Sequence, residues 1–233
     1  MAKTRRKVTT QAEILTLDLP TMRPKPTPLT AKTPAQRRLL SSLRSNTLTV
    51  CAGSAGVGKT YVTLSYAADL LQRKEIERIV LARPMVSADG EDVGALPGDL
   101  DMKLAPWVFP MMDILEERLG KSFVQYLLKT DRIRISPLAY MRGSSFKDAF
   151  IVITECQNAT VSQTKMALTR VGENTKIVLD GDPGQTDLRQ ANGLEDAVTR
   201  LEGVEGVGVV RFSKQDVVRS GFCRTVLERY EEE

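Results

Sequence analysis

The residues Gly53-Ser54-Ala55-Gly56-Val57-Gly58-Lys59-Thr60 fit the pattern G-x-x-x-x-G-K-[ST] at every fixed position. Each type has a chemical reason to be there. Glycines let backbone N–H groups turn toward an anion without a Cβ in the way. A helix expected to begin at Lys59 presents its positive end to the same anion. Lys59 is placed to reach β- and γ-phosphates, and Thr60 to ligate Mg²⁺. The expected nucleotide-binding set is therefore Gly53, Ser54, Ala55, Gly56, Val57, Gly58, Lys59 and Thr60, together with Thr63. The competing reading is a glycine-rich turn that binds nothing.

Two further segments place acids at strand ends. Phe150-Ile151-Val152-Ile153-Thr154-Glu155 is an apolar run closed by a carboxylate. A phosphate-transferring site keeps its metal acid and its water-activating acid at such a point. Glu155 suits the second role. Thr154 stands where the metal acid is expected. Leu179-Asp180-Gly181-Asp182-Pro183-Gly184-Gln185 ends a strand in two acids, turns, and presents an amide that could sense the γ-phosphate. Read alone, either segment is also an ordinary strand running into a polar turn.

The surrounding pattern supplies the elements that must hold these groups. Leu48–Ala52, Arg78–Ala82, Arg132–Ser136, Phe150–Thr154, Lys176–Asp180 and Val207–Phe212 are Val/Ile-rich runs with little alternation, as strands covered on both faces read. Helical patterns lie around 59–73, 104–119, 160–171, 190–201 and 220–231. Thr33-Pro34-Ala35-Gln36 reads as an N-cap, a proline at the first helical position and a glutamine three after the cap, opening a helix to about Ser45. Strand–helix alternation of this kind predicts an α/β fold, a parallel sheet with helices on both faces.

Composition limits the chemistry. There is no histidine, which excludes Ser-His-Asp and Cys-His catalysis and any histidine-containing zinc site. The three cysteines, Cys51, Cys156 and Cys223, are odd in number and far apart, which suits a reducing cytoplasm better than a disulfide framework. No apolar run reaches the roughly 18 residues of a membrane span, and no apolar stretch follows the basic start, so neither a membrane nor a secretory signal is expected. Aromatic residues make up only 5%, which argues against a stacking platform for single strands. Trp107, in an apolar cluster, is expected in the core or at a subunit interface. Residues 1–46 carry ten Lys and Arg against two acids, whereas the rest of the chain carries 23 against 27. The organisation expected is a basic, proline-rich arm over 1–30, with Ile14, Leu15, Leu17 and Leu19 as one possible edge strand, and a globular domain over 31–233. Such an arm either attracts a polyanion such as nucleic acid or is only a solvated tail.

Together these segments resemble the PhoH-like ATPases, a phosphate-starvation-inducible group related to superfamily 1 helicases. The resemblance runs from about Gln36 to the C-terminus. It is carried by Ala82-Arg83-Pro84, Leu96-Pro97-Gly98-Asp99-Leu100, Pro137-Leu138-Ala139-Tyr140-Met141-Arg142-Gly143, Glu155-Cys156-Gln157-Asn158, Leu168-Thr169-Arg170, Gly181-Asp182 with Gln185, and Asp216-Val217-Val218-Arg219. It implies a P-loop NTPase with a single RecA-like core that binds and hydrolyses ATP with Mg²⁺. It also implies a ring-shaped homo-oligomer, expected to be a hexamer, and a link to single-stranded RNA, by binding or unwinding. Gln36 would read adenine, a role compatible with its place after the cap. Lys59, Glu155 and Gln185 would act in hydrolysis. An arginine on the γ-phosphate would come from a neighbouring chain, with Arg219 the first choice and Arg142 the second; Arg83 and Arg170 could equally be structural. Thr154 departs from the family pattern. The expected metal set is Thr60, Thr154 and Asp180, with Asp180 partly replacing the missing acid from the next strand end. The alternative function is a nucleotide-gated RNA-binding scaffold with little turnover, because of Thr154.

Overall fold

Thr33 and Pro34 open the first helix as their order predicts. Thr33 is extended at φ −123°, and its Oγ1 accepts the Gln36 N–H at 3.2 Å. The resulting helix α1 (Pro34–Ser45) buries Ala35, Leu39 and Leu43, spaced to share one face. The structure is a computed structural model that describes residues 28–85, 100–188 and 190–218. After α1 come β1 (Leu48–Ala52), α2 (Lys59–Gln72), β2 (Arg78–Arg83), α3 (Leu100–Leu119), α4 (Lys121–Lys129), β3 (Ile133–Pro137), β4 (Ala149–Ile153), α5 (Val161–Leu168), β5 (Lys176–Gly181), α6 (Gly193–Leu201) and β6 (Val207–Arg211).

The six strands form one parallel sheet in the order β3-β2-β4-β5-β1-β6. Helix α2 carries the chain from β1 to β2, skipping two strand positions that β5 and β4 fill later. The carboxyl ends of β1, β5 and β4 therefore lie side by side, the place where ligand sites collect in open α/β sheets. One face of the sheet is covered by α1, α2, α3 and α4 through Leu39, Leu43, Leu64, Leu115 and Leu127. The other is covered by α5 and α6 through Ala167, Leu194 and Ala197. β1 and β4 are buried along their whole length, which is why they read as unbroken apolar runs.

The expected α/β fold is the observed one, with local differences. The strand expected at Arg132–Ser136 begins and ends one residue later. β4 stops at Ile153, although the Thr154 N–H still donates to Ala82 O at 3.0 Å. The helix expected over 160–171 is shorter, because Thr160 and Gln163 form a capping box before it and Thr169 ends it. The one expected from 190 starts at Gly193, capped by Asn192. α3 starts at Leu100 rather than 104. α4 has no counterpart among the expected helices: Gly120, at φ 85°, breaks the helix, and the new turn re-enters the core through Val124 and Leu127. Trp107 packs half-buried against the helical face of the core. Among the described residues no helix is long and apolar enough to cross a membrane. The expected edge strand at 14–19, most of the arm, Leu96–Asp99, the helix around 220–231, Arg219 and Cys223 lie outside the described residues.

Candidate functional site

The chain leaves β1 at Ala52 and turns at Gly53, where a Cβ would lie 2.6 Å from Phe212 O. Only glycine permits that approach. Gly58 precedes α2 at φ 84° and offers no side-chain cap, so the first N–H groups of α2 are left for a ligand. Lys59 folds back over its own loop. Its Nζ donates to Gly53 O at 2.7 Å and to Ser54 O at 2.9 Å, and lies 3.8 Å from Asp180 Oδ1. Thr60 Oγ1 donates to Asp180 Oδ2 at 2.6 Å.

Asp180 reaches these groups because β5 runs directly beside β1, with Cys51 paired to Asp180 in register. Its carboxyl is held above the usual carboxylate range. Burial is the main cause and Glu155 adds to it, while the Lys59 charge and the Thr60 hydrogen bond pull the other way. Thr154 follows Ile153, which pairs with Leu179 in register, so Thr154 and Asp180 occupy the next level on adjoining strands.

Glu155 has left-handed backbone, φ 53°, a conformation costly for a residue with a Cβ and typical of functional turns. Its Oε2 accepts the Gln157 amide N–H at 2.7 Å. Gln157 also binds the loop after β5: its Oε1 accepts the Asp182 N–H at 3.0 Å, and its Nε2 donates to Gln185 O at 3.4 Å. Gly181 makes room for this, since a Cβ there would sit 2.5 Å from Gln157 Oε1. Asn158 and Asp187 add a reciprocal pair, both bonds 2.8 Å. The loops after β4 and β5 are thus one hydrogen-bonded unit.

These groups open onto one cavity of about 240 Å³. Its wall includes Ala55, Gly56, Gly58, Lys59, Thr60, Thr154, Glu155, Asp180 and Gln185, so the structure brings together most of the residues expected from sequence. Ser54 belongs to the same loop through its carbonyl on Lys59. Val57 is fully buried in the core.

Other candidates from the sequence lie outside this cavity wall. Thr63 is fully buried within α2 and does not line the cavity. Gln36 does not line it either. Its Nε2 donates to Val57 O at 2.9 Å and its Oε1 accepts the Lys32 N–H at 2.7 Å, so its amide clamps the loop. Arg142 is exposed after the turn that follows β3 and is not in this cavity wall. Arg83 sits at the end of β2, and Arg170 donates to Met166 O and Thr169 Oγ1.

One residue in the cavity wall, Tyr61, and one behind it, Gln157, are given no role by the sequence. Tyr61 lines the wall and donates to Glu117 Oε1 at 2.9 Å; partial burial, then the Glu117 hydrogen bond, raise its hydroxyl above the ordinary value. Its only signal is its place after Lys59-Thr60. Gln157 is visible as part of Glu155-Cys156-Gln157-Asn158, but its contacts are not.

Thr60, Asp180 and Glu155 supply a hydroxyl and two carboxylates beside the glycine loop. Mg²⁺ at phosphate sites is held by one or two carboxylates plus the phosphates themselves, so this oxygen set fits that ion.

A family model described as PhoH-like protein matches residues 28–231. Protein PhoH of Escherichia coli (strain K12) is 44% identical over 207 residues, covering 87% of this chain and 58% of its own length. A PhoH-like protein of Bacillus subtilis (strain 168) is 38% identical over 204 residues, covering 87% of this chain and 64% of its own. The chain thus spans only part of the length of these relatives. The large terminase of a thermophilic bacteriophage, solved in complex with ADP, superposes with a TM-score of 0.50 at 15% identity, covering 85% of this chain and 49% of that one. At that identity the likeness is one of fold.

Proposed function

Because the chain belongs to the PhoH-like protein family and has the P-loop NTPase fold, we propose that it binds ATP with Mg²⁺ and hydrolyses it. The observation that carries this is the convergence of Lys59, Thr60, Asp180 and Glu155 on one cavity at the mouth of the glycine loop. A phosphate oxygen is a stronger acceptor for an ammonium than a neutral carbonyl. Lys59 therefore turns from Gly53 O and Ser54 O to the phosphates when nucleotide enters. The free N–H groups at the start of α2 hold the same phosphates. Glu155 takes the proton of the attacking water, and Gln157 keeps its carboxylate aimed. Gln185, carried on the loop that Gln157 stitches to Glu155, senses the γ-phosphate. Bound Mg²⁺ would neutralise phosphate charge, with Thr60 and Asp180 as its protein partners.

The γ-phosphate also calls for a cation in the transition state. Arg142 is exposed and outside its own chain's cavity wall, which favours a contribution in trans from Arg142 or Arg219 within a homo-oligomeric ring, taken as a hexamer. Single-stranded RNA, gripped in part by the basic arm, is the proposed partner, with unwinding as the proposed outcome of turnover. The second reading, an RNA-binding scaffold gated by nucleotide with little turnover, is favoured by Thr154 at the end of β4.

ATP turnover by the purified chain, with and without single-stranded RNA, tests both. The ATPase reading expects turnover that Lys59→Ala abolishes while the thermal melt stays close to that of the parent. Nucleotide binding without turnover selects the scaffold. Equal turnover by Lys59→Ala overturns the assigned site.

A further inference from the structure

The acid expected at residue 154 is a threonine, and the carboxylate that meets Thr60 comes from elsewhere. Val152 and Val178 lie on the sheet face covered by α2. Side chains alternate along a strand, so Thr154 and Asp180, two residues on, face that same side at one level. The hydroxyl stands just past the end of β4 and the carboxylate on β5, one strand nearer the loop. The carboxylate is buried, accepts the Thr60 hydroxyl at 2.6 Å and lies 3.8 Å from Lys59.

We propose that Asp180 on β5, rather than residue 154 at the end of β4, is the carboxylate serving the nucleotide-bound cation, and that its charge makes nucleotide binding itself depend on that cation. The inference rests on the reading of the cavity as a nucleotide site. Its physical basis is a competition for Lys59. Asp180 and the two loop carbonyls share the Lys59 ammonium. Phosphates entering without a cation must draw Lys59 away while standing beside a buried negative charge, where screening by water is weak. A divalent cation removes that repulsion. Because positions 154 and 180 share one level and one face, the acid is exchangeable between them.

The test measures the affinity of a fluorescent ADP analogue for the full chain, in Mn²⁺ and in EDTA. For the parent, Mn²⁺ should tighten binding strongly. For Asp180→Asn that gain should shrink by about 10–100-fold, the usual range for losing a partner of a metal site, while binding in EDTA becomes tighter than the parent's. In the exchanged double variant Asp180→Thr with Thr154→Asp the Mn²⁺ gain should return. An Asp180→Asn chain that keeps the parent's Mn²⁺ gain overturns the proposal. If that variant binds no ADP under either condition, the exchanged variant decides, and its failure to recover the gain also overturns it. A parent that binds no ADP at all instead overturns the nucleotide-site reading beneath it.

Discussion

Gln157 holds Glu155 by a 2.7 Å hydrogen bond from its amide, and the same amide is anchored to the backbone of the next loop. A carboxylate on left-handed backbone at the end of a strand is therefore braced from the side, with its freedom limited by a residue that is itself almost fully buried. Removing the brace should affect the acid more than the nucleotide. Gln157→Ala is expected to lower kcat by about 10–100-fold, less than the 10²–10⁴ of losing a general base outright. ADP affinity should stay within a few-fold. A drop in affinity as large as the drop in kcat would make Gln157 a merely structural residue.

Thr154→Asp, with Asp180 retained, adds a second carboxylate to the cavity wall. More ligand charge strengthens binding of hard divalent cations. The Mg²⁺ concentration giving half-maximal turnover should fall. An unchanged Mg²⁺ requirement would remove position 154 from the metal site.

The arginine contribution is testable by mixing. Arg219→Ala or Arg142→Ala should leave ATP affinity nearly unchanged and lower turnover by roughly 10³–10⁵-fold, as loss of an arginine finger does. Adding Lys59→Ala chains, which supply an intact arginine to a neighbour's site, should restore part of the activity. Light scattering that finds only monomers at working concentration contradicts a role in trans.

The two described cysteines should be unreactive in the native protein. Burial pushes the Cys156 thiol up to about 12, opposed by the Thr164 hydrogen bond and assisted by Asp180. Burial likewise holds Cys51 well above the ordinary value, with Asp180 adding to it and Lys59 offsetting it. At pH 8 both remain protonated, so iodoacetamide followed by mass spectrometry should find neither modified until denaturant is added. Above about pH 9 the unfolded chain gives up these protons while the folded one keeps them, so stability falls as pH rises through that window. Cys156→Ala should remove its share of that slope in denaturant titrations run between pH 8 and 10.

Much of this arrangement is legible in the chain itself. β1, β4 and β5 are covered on both sides, so their residues carry no alternation and stand out as short apolar blocks. The glycine loop declares itself because its chemistry is local: Lys59 and Thr60 follow the turn that needs them. Asp180 follows from the rule that strand ends share a rim, although 120 residues separate it from Thr60. What stays hidden depends on contacts between loops. Nothing in the order Glu155-Cys156-Gln157 says that the glutamine amide bridges to Asp182. Thr63 lies close to the loop along the chain, but α2 turns it into the core. α4 is nine residues long and buries only Val124 and Leu127, too little periodicity to separate it from the end of α3.

Gln36 gives the entry to the domain a mechanical meaning. Its amide joins the backbone N–H of Lys32, where the chain arrives from the basic segment, to the carbonyl of Val57 inside the glycine loop. A Cβ on Gly58 would collide with that same amide at 2.7 Å, so the loop and the clamp are in direct contact. One rigid planar group therefore separates the incoming chain from the loop. A tug on the chain ahead of α1 loads the loop directly, with no need to pass through the sheet.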